Sequence, residues 1–431
     1  MPLTIHHSAM KKYLFLYIFI FHSFCIKAQS VSDTLKLDLP QAEKIFLQKN
    51  LSLLAVGYNV NINEALIKQA KLWDNPLLVT DQNIYDGKFF RHDGDNGQIY
   101  VQVQQLIRTA GKRTKLAQLA TDNTQLAKEQ FDDIMRGLRY ALESDFVEMN
   151  HLLKTKKVYD GEIAEMEKLV NGMNEEFKAG NISLKDNMRL KALLFGLKNE
   201  LVNVQSQLMP LQTEVKFLLQ DSTKSFIQPQ FNYQLPDIIN YRIPEADSLI
   251  AKAMAARPDA KIAQTQLDFQ NHNLIYQKAL AKPDITVGPE FDQRNSYANN
   301  YVGLSVSLPL NIFNKNQGNI KSAQFAVKQQ AVIKDLQNAK IESEVNSALQ
   351  KFLYYQKINN ADQLSFSKQY DDLFNNMIKS YQDRQLSLLE LIDFIDAYKD
   401  SKLKLTDQHN SLIKAAADLN YSINSTIIDI K

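Results

Sequence analysis

The chain has 431 residues, of which 45% are hydrophobic, enough for a large core in one or two domains. Its formal net charge is only +2, and acidic and basic residues are interspersed, which argues against a nucleic-acid or other polyanionic partner. The chain contains only 13 glycines and 11 prolines. This scarcity favours long uninterrupted helices over a loop-rich or all-β fold.

The N-terminus has the pattern of an export signal. Lys11 and Lys12 precede an apolar run from Tyr13 to Phe21, and a small residue suited to signal peptidase follows at Ala28. We therefore expect residues 1–28 to be a signal peptide. A membrane anchor is the alternative interpretation, but the apolar run is shorter than the roughly 20 residues that a spanning helix needs.

The only cysteine, Cys25, lies inside this predicted signal. Lipid attachment would need a small residue just before the cysteine, and Phe24 fits that requirement poorly. Removal of the signal would leave no thiol for a disulfide or a cysteine-ligated metal. Both Met1 and Met10 are candidate start residues.

Several segments recur along the chain at a nearly constant spacing. The matching segments are Ala42-Glu43 with Ala246-Asp247, Pro76 with Pro283, Ala117 to Ala120 with Ala323 to Ala326, and Phe177 to Leu184 with Tyr381 to Leu388. A tandem duplication explains this spacing. We predict a first repeat at 29–220, an extended linker at 221–243, and a second repeat with the C-terminal tail at 244–431.

Each repeat shows the same order of elements. A helix (about 40–73 and 244–281) is stopped by a proline, and two short strands and a long helical hairpin follow. Gly111 to Ala179 contains no proline and could form a helix about 100 Å long. A heptad-like seam follows on its partner helix, at Leu190, Leu194, Leu197, Leu201, Val204 and Leu208. A soluble coiled-coil scaffold would show the same helices.

The strands of the second repeat alternate strictly. Val302, Leu304, Val306 and Leu308 point to one face, and the residues between them are glycine or serine. This pattern is typical of a transmembrane barrel with these four residues facing lipid, although a half-buried soluble sheet gives the same alternation. Four strands per chain cannot close a barrel, since about eight is the smallest closed form. A membrane location therefore predicts that several copies complete the wall.

Three further segments carry a family resemblance: Val302 to Leu310 followed by Phe313 to Ile320, Tyr381 to Tyr398, and Arg257-Pro258-Asp259. In this order, and with the duplication, the chain resembles the TolC-like outer membrane efflux proteins, or outer membrane factors. The resemblance implies a mainly α fold with a small β-barrel part. A homotrimer would form a transmembrane β-barrel from four strands per chain and a long α-helical coiled-coil barrel in the periplasm.

The resemblance also implies a function. The chain would be the outer membrane channel of a tripartite efflux or type I secretion system, a passive conduit from periplasm to exterior. Its partners would be a periplasmic adaptor (membrane fusion) protein, an inner-membrane pump such as an RND or ABC transporter, and outer membrane lipid. No nucleic acid, cofactor or metal is implied. The cargo, whether drug, metal ion or polypeptide, is left open.

The resemblance assigns roles to two turns and four further residues. The turns would dock the adaptor, through Gly180, Asn181, Ile182, Ser183 and Leu184 in the first and Gln385, Leu386, Ser387 and Leu388 in the second. Glu390 and Asp393 match an acidic ring that narrows the pore, and Asp186 and Tyr381 match a polar contact that holds it closed. Ordinary helix caps and a solvated helix end are the alternative interpretations.

Two details depart from the family pattern. Glu390 stands where the best-known members have aspartate, and Arg384 is out of register with the family's arginine. In a trimer the crowded carboxylates of Glu390 and Asp393 would favour cations, and some of them would have raised pKa values.

Two other classes compete with a channel. A periplasmic coiled-coil adaptor or scaffold should show one hairpin among β-rich domains, whereas this chain shows two hairpins and few strands. A secreted enzyme is disfavoured because no catalytic motif is found: the segment from Gly111 to Thr114 lacks the leading glycine of a P-loop, which Leu106 replaces. The histidines outside the signal are too dispersed for a local metal motif.

Overall fold

The computed structural model describes residues 34–93, 96–359 and 361–431, without the side chains of 361–368 and 375. The predicted signal peptide and Cys25 lie outside the described residues. The chain divides into two compact units. The first comprises residues up to Phe46, Asp145–Asn232 and Lys431, and the second comprises Leu47–Ser144 and Tyr233–Ile430. Because these units are groupings in space, the two sequence repeats remain a prediction.

Helices account for most of the described chain, as the sequence predicted. They are α1 (Leu39–Lys49), α2 (Leu51–Lys71), α3 (Lys112–Lys178), α4 (Leu184–Leu219), α5 (Leu235–Ile239), α6 (Ala246–Ala256), α7 (Pro258–Leu280), α8 (Gln317–Ile358), α9 (Ala361–Gln382) and α10 (Leu388–Ile423). The strands are β1 (Thr34–Asp38), β2 (Leu77–Gln82), β3 (Ile99–Ile107), β4 (Phe226–Gln230), β5 (Ile285–Arg294) and β6 (Asn299–Ser307).

The long first hairpin is confirmed. Helix α3 has 67 residues and lies within one residue of the predicted Gly111 to Ala179 at each end. On α4 the predicted seam is buried at Leu190, Leu197, Val204 and Leu208 and half-buried at Leu194 and Leu201. This burial is the expected result of a 4-3 spacing of apolar residues against a partner helix.

The predicted linker, residues 221–243, contains one strand and one short helix. Strand β4 pairs in parallel with β1, with Leu37 opposite Pro229. Ile227 in β4 is fully buried, and its backbone N–H and carbonyl bond to the Gln212 side chain at 3.0 and 2.5 Å. The short helix α5 follows. Strand β4 is extended backbone, the conformation predicted for the linker, whereas the five residues of α5 are helical.

Each predicted opening helix is also two helices instead of one. The break in the first repeat lies at Asn50, whose side chain accepts a hydrogen bond from the Leu53 N–H at 3.0 Å and caps α2. The break in the second lies at Arg257, where Pro258 disfavours a helical conformation of the preceding residue. Both second helices end before Pro76 and Pro283, as predicted.

The second unit contains an antiparallel sheet with strand order β2-β3-β5-β6. Its centre is the pairing of β3 with β5, which joins the two predicted repeats and sets Val101 opposite Phe291. Within the described residues, β2 and β6 each pair on one side only. No helix among the described residues is long and apolar enough to cross a membrane.

Polar contacts fix the end of the sheet to the helices that follow it. Lys112, which is 4% exposed, donates from Nζ to the Asp284 carboxylate at 2.7 Å. Arg108 makes a two-pronged contact with the Asp74 carboxylate at 2.7 and 2.8 Å. The bidentate Arg108–Asp74 pair is geometrically specific, and it joins the segment between β3 and α3 to the segment between α2 and β2.

Candidate functional site

The first hairpin turn joins α3 to α4 through residues 179–183. Gly180 has a positive φ of 78°. The N–H groups of Gly180 and Asn181 donate to carbonyl oxygens in the last turn of α3 at 3.0 and 2.9 Å, which closes that helix as a Schellman motif. The Ser183 hydroxyl then caps α4 by accepting from the Asp186 N–H at 3.1 Å, and it donates to the Asp186 carboxylate at 2.7 Å.

The second turn, residues 383–387, repeats this arrangement between α9 and α10. Arg384 has a positive φ of 58°, and the N–H groups of Arg384 and Gln385 donate to carbonyls in the last turn of α9 at 3.0 and 2.9 Å. The Ser387 hydroxyl caps α10 by accepting from the Glu390 N–H at 3.3 Å. Glu390 reaches back to accept from the Ser387 N–H at 2.9 Å, which completes a capping box.

The predicted docking residues therefore lie at two turns of one geometry. Gly180, Asn181, Ser183, Gln385 and Ser387 are exposed. The apolar residues at the turns are Ile182, Leu184, Leu386 and Leu388, of which Leu184 is 60% exposed and the others are half-buried. The cap interpretation and the docking interpretation are compatible, because the same backbone that caps the helices also presents these side chains.

The two predicted gate acids both lie in the first two turns of α10, and both are exposed. They differ in what holds them. The Ser387 hydroxyl and the Ser387 N–H both donate to the Glu390 carboxylate, and these hydrogen bonds lower the pKa of Glu390. The expectation of raised pKa values concerns carboxylates crowded together in a trimer and stays a prediction. Asp393 lies one turn further along α10, whereas the capping box consists of Ser387 and Glu390.

Asp186 and Tyr381 belong to separate compact units, so their predicted contact remains a prediction. Asp186 is half-buried in the first turn of α4, where Ser183 holds its carboxylate. Tyr381 is half-buried in the last turn of α9, where its carbonyl accepts from the Arg384 N–H at 3.0 Å.

The four residues predicted to face lipid form an exposed apolar stripe on the sheet, and their contact with lipid stays a prediction. The exposed fractions of the four side chains are 76% for Val302, 66% for Leu304, 63% for Val306 and 47% for Leu308. The opposite face is polar: the Tyr100 hydroxyl and the Gln102 amide both donate to the Glu290 carboxylate at 3.0 Å.

Two features near the second turn were not predicted from the sequence. Tyr370, Phe374 and Tyr398 stack between α9 and α10, with ring centroids 4.2 Å apart for Phe374 and Tyr398. The Tyr398 hydroxyl and the Lys402 ammonium both donate to the Asp371 carboxylate, at 2.6 and 2.8 Å. These contacts hold α9 and α10 together along the hairpin. The capping box could have been read from the Ser-x-x-Glu spacing, whereas the aromatic cluster could not.

Comparison with solved structures matches nearly the whole chain. A membrane protein from Pseudomonas aeruginosa superposes with a TM-score of 0.72 and 14% identity, covering 92% of this chain and 98% of that one. A structure of CusC, reported in connection with its folding and transmembrane channel formation, gives a TM-score of 0.72 and 14% identity, covering 93% of this chain and 96% of that one. The Campylobacter jejuni CmeC outer membrane channel gives 0.71 and 11%, covering 91% and 87%.

The chain has the fold of the outer membrane factor channels. No family model matches its sequence. A curated relative, the cobalt-zinc-cadmium resistance protein CzcC of Cupriavidus metallidurans, is 22% identical over 287 residues, 67% of this chain and 66% of that protein. The resemblance noted in the sequence is thus confirmed at the level of this mainly α fold with its small sheet.

Proposed function

We propose that this chain is an outer membrane channel of a tripartite efflux or type I secretion system, a passive conduit from periplasm to exterior. The observation that carries the proposal is the four-stranded sheet, which has an exposed apolar face on β6, a polar opposite face and, among the described residues, two open edges. Open edges in lipid leave backbone groups unpaired, so a homotrimer of such sheets satisfies them in one twelve-stranded wall. The fold likeness over most of the chain supports a channel over a periplasmic adaptor or scaffold.

Fractionation tests this proposal. We expect the mature protein to stay with the outer membrane after osmotic shock and high salt, and to need detergent for release. Native mass spectrometry of the extract should then give three copies. Release of a single-copy protein by osmotic shock would contradict the channel and support a scaffold.

We further propose that the two hairpin turns dock a periplasmic adaptor, which would connect the channel to an inner-membrane pump of the RND or ABC type. The exposed Leu184 offers a test that leaves both caps intact. Leu184→Glu should reduce export at least tenfold without changing the number of copies. Met188→Glu is the matched control, since Met188 is also exposed and lies one turn away. Equal export by both variants would contradict docking at this turn.

Glu390 and Asp393 are proposed as an acidic constriction that favours cations. Glutamine at position 390 keeps an acceptor for the capping box, so Glu390→Gln removes charge without removing the cap. Combined with Asp393→Asn, it should lower cation selectivity in planar-bilayer recordings. Unchanged selectivity in the double variant would remove both residues from the gate.

A cationic cargo fits the named relative and the carboxylates on the polar sheet face. CzcC is a cobalt-zinc-cadmium resistance protein, and Glu290 and Asp292 lie on that face. We expect deletion of this gene to sensitise cells to divalent transition metals, as measured by growth. Sensitivity to drugs alone would contradict a metal cargo and leave the channel proposal unaffected.

A further inference from the structure

The exposed apolar stripe on β6 continues beyond the end of the strand. The strand ends at Ser307, but apolar residues keep alternating through Leu308, Leu310 and Ile312, which are 47%, 74% and 61% exposed. Phe313 follows and is 91% exposed. A continuous row of exposed apolar side chains marks an interaction surface, whereas single exposed apolar residues do not.

The segment from Leu308 to Asn316, called here the junction segment, is fixed to the end of α7. Asn311 Nδ2 donates to the Ala281 carbonyl at 2.8 Å. Asn316 Nδ2 donates to the Gln277 carbonyl at 2.8 Å and to Gln277 Oε1 at 3.0 Å. Because both asparagines are anchored, the apolar side chains between them are presented outward from a fixed backbone.

Three exposed lysines lie on or beside the junction segment. Lys278 is in the last turn of α7, Lys282 follows that helix, and Lys315 belongs to the segment itself. Within the described residues, none of their ammonium groups makes an ion pair. Asp284, the next acid along the chain from Lys282, is already bound by Lys112 at 2.7 Å. The surface therefore carries positive charge that the described carboxylates leave unneutralised.

The other edge of the sheet has a similar composition at its junction with α2. Trp73 is 63% exposed, and the guanidinium carbon of Arg113 lies 3.8 Å from the centre of its ring. The one acid in residues 72–78 is Asp74, which Arg108 binds through two hydrogen bonds. This edge of a second copy would therefore offer the three lysines no carboxylate that is not already paired.

The order of side chains along the junction matches the order of chemistry across a lipid surface. Hydrocarbon contacts apolar side chains, aromatic rings lie at the level of the headgroups, and lysines at the membrane surface attract anionic lipids. The chain passes from apolar at Leu310 to aromatic at Phe313 and cationic at Lys315. Long lysine side chains can extend from an apolar surface to the headgroups.

We propose that Lys278, Lys282 and Lys315 bind the phosphate groups of an anionic phospholipid, such as phosphatidylglycerol, in the leaflet next to the helices. Phe313 then lies between the acyl chains and the headgroups. Hydrocarbon alone would leave the three ammonium groups without polar partners, which is costly. The inference rests on the proposed function, since it requires the sheet to lie in a membrane.

Lipid retention tests the lysines. The full mature protein is incorporated into nanodiscs of phosphatidylethanolamine with a minor fraction of phosphatidylglycerol, and the retained lipid is measured by native mass spectrometry. The test variant is Lys282→Gln with Lys315→Gln. Lys278 is kept, because a cation in the last turn of α7 also favours the helix. Lys224→Gln with Lys252→Gln is the matched control, since both lysines are exposed and lie far along the chain from the junction segment.

We expect the wild type to retain phosphatidylglycerol in preference to phosphatidylethanolamine. Each lysine near an anionic surface contributes about fivefold in affinity, so the test variant should retain at least tenfold less phosphatidylglycerol. The control should retain as much as the wild type, and all three proteins should have the same number of copies. Equal retention by test variant and control would overturn the lysine site and leave the channel proposal standing.

Fluorescence quenching tests the position of Phe313. Trp73 is the only tryptophan in the chain, so Trp73→Phe with Phe313→Trp reports on position 313 alone. Lipids brominated near the glycerol end should quench this fluorescence more than lipids brominated near the end of the acyl chain.

The other outcomes separate this inference from the channel proposal. No quenching by either lipid, in a multimer inserted in nanodiscs, would show that protein covers position 313 and would overturn the inference alone. Stronger quenching by the chain-end bromines would overturn it as well. A protein that enters no nanodisc would contradict both the inference and the channel proposal.

Discussion

The two hairpin turns have one backbone geometry and different residues. Gly180 takes the left-handed position in the first turn, and Arg384 takes it in the second, with φ values of 78° and 58°. A serine caps the following helix in both turns, but Asp186 follows in one and Glu390 in the other. The comparison teaches that the fold keeps the hydrogen-bonding pattern of the turn, while the side chains that form it differ in charge, reach and conformational cost.

The two predicted repeats also differ in the residue at which the opening helix breaks. The contacts of these two residues differ more than those of the turn residues. Asn50 caps α2 by accepting a hydrogen bond from the Leu53 N–H. Arg257, only 2% exposed, binds the Asp259 and Glu344 carboxylates at 2.7 Å each and the Ser422 carbonyl at 2.9 Å. The second break therefore fixes α7 to α8 and to the end of α10.

The largest predicted effect concerns the two helix breaks. Arg257→Ala should destabilise the protein by about 3–5 kcal/mol, because it leaves the half-buried Asp259 carboxylate without its main partner. Asn50→Ala should cost only about 1 kcal/mol, the usual loss for a helix cap. Thermal unfolding of the two variants measures the difference. Equal destabilisation would contradict the larger contribution assigned to Arg257.

Acid pH should weaken the contact between Arg257 and Asp259 at the second helix break. Burial alone would raise the pKa of Asp259, but the hydrogen bond and charge of Arg257 hold that pKa below its ordinary value. A lowered pKa stabilises the folded protein above the unfolded value of 3.8, and this stabilisation is lost as the pH falls through the folded pKa. Asp259→Asn should therefore flatten the acid limb of the stability curve. An unchanged acid limb would contradict the assigned pKa.

Loss of a serine cap should cost about 1 kcal/mol at either turn. Ser387→Ala should cost somewhat more than Ser183→Ala, because Ser387 belongs to a complete capping box with Glu390. Hydrogen exchange of the Asp186 and Glu390 amides reports each cap directly. In each variant, faster exchange of the amide that the unchanged serine caps would show that the two turns are not independent.

Substitutions at Arg384 and Gly180, the two turn residues with positive φ, should change stability by smaller amounts and in opposite directions. Arg384→Gly should stabilise the second turn by up to about 1 kcal/mol, because glycine adopts positive φ without a steric penalty. Gly180→Ala should destabilise the first turn by a similar amount. If Arg384→Gly also impairs export, the arginine side chain has a role in docking beyond the turn.

The smallest effect concerns Glu390 and pH. Its lowered pKa means that the capping box is fully formed above the ordinary value of 4.5, and is lost as the pH falls through the lower folded pKa. Amide exchange at the start of α10 should therefore accelerate below that range in the wild type. Glu390→Gln should abolish this pH dependence, since glutamine does not titrate.

Long local patterns in the sequence predicted most of the helices and strands. The ends of α3, the buried seam on α4 and the alternation from Val302 to Leu308 follow from periodicity and the absence of proline. The features that the sequence did not predict depend on distant partners. Strand β4 needs β1, and the role of Arg257 needs Glu344 and Ser422, which no local pattern reveals.

The most direct measurement of the central claim is single-channel conductance of the purified, detergent-extracted protein in a planar bilayer. We predict discrete conductance steps from a preparation whose native mass is that of three copies, with lower cation selectivity for the Glu390→Gln, Asp393→Asn double variant. A monodisperse protein that inserts no channels at any voltage would contradict the account.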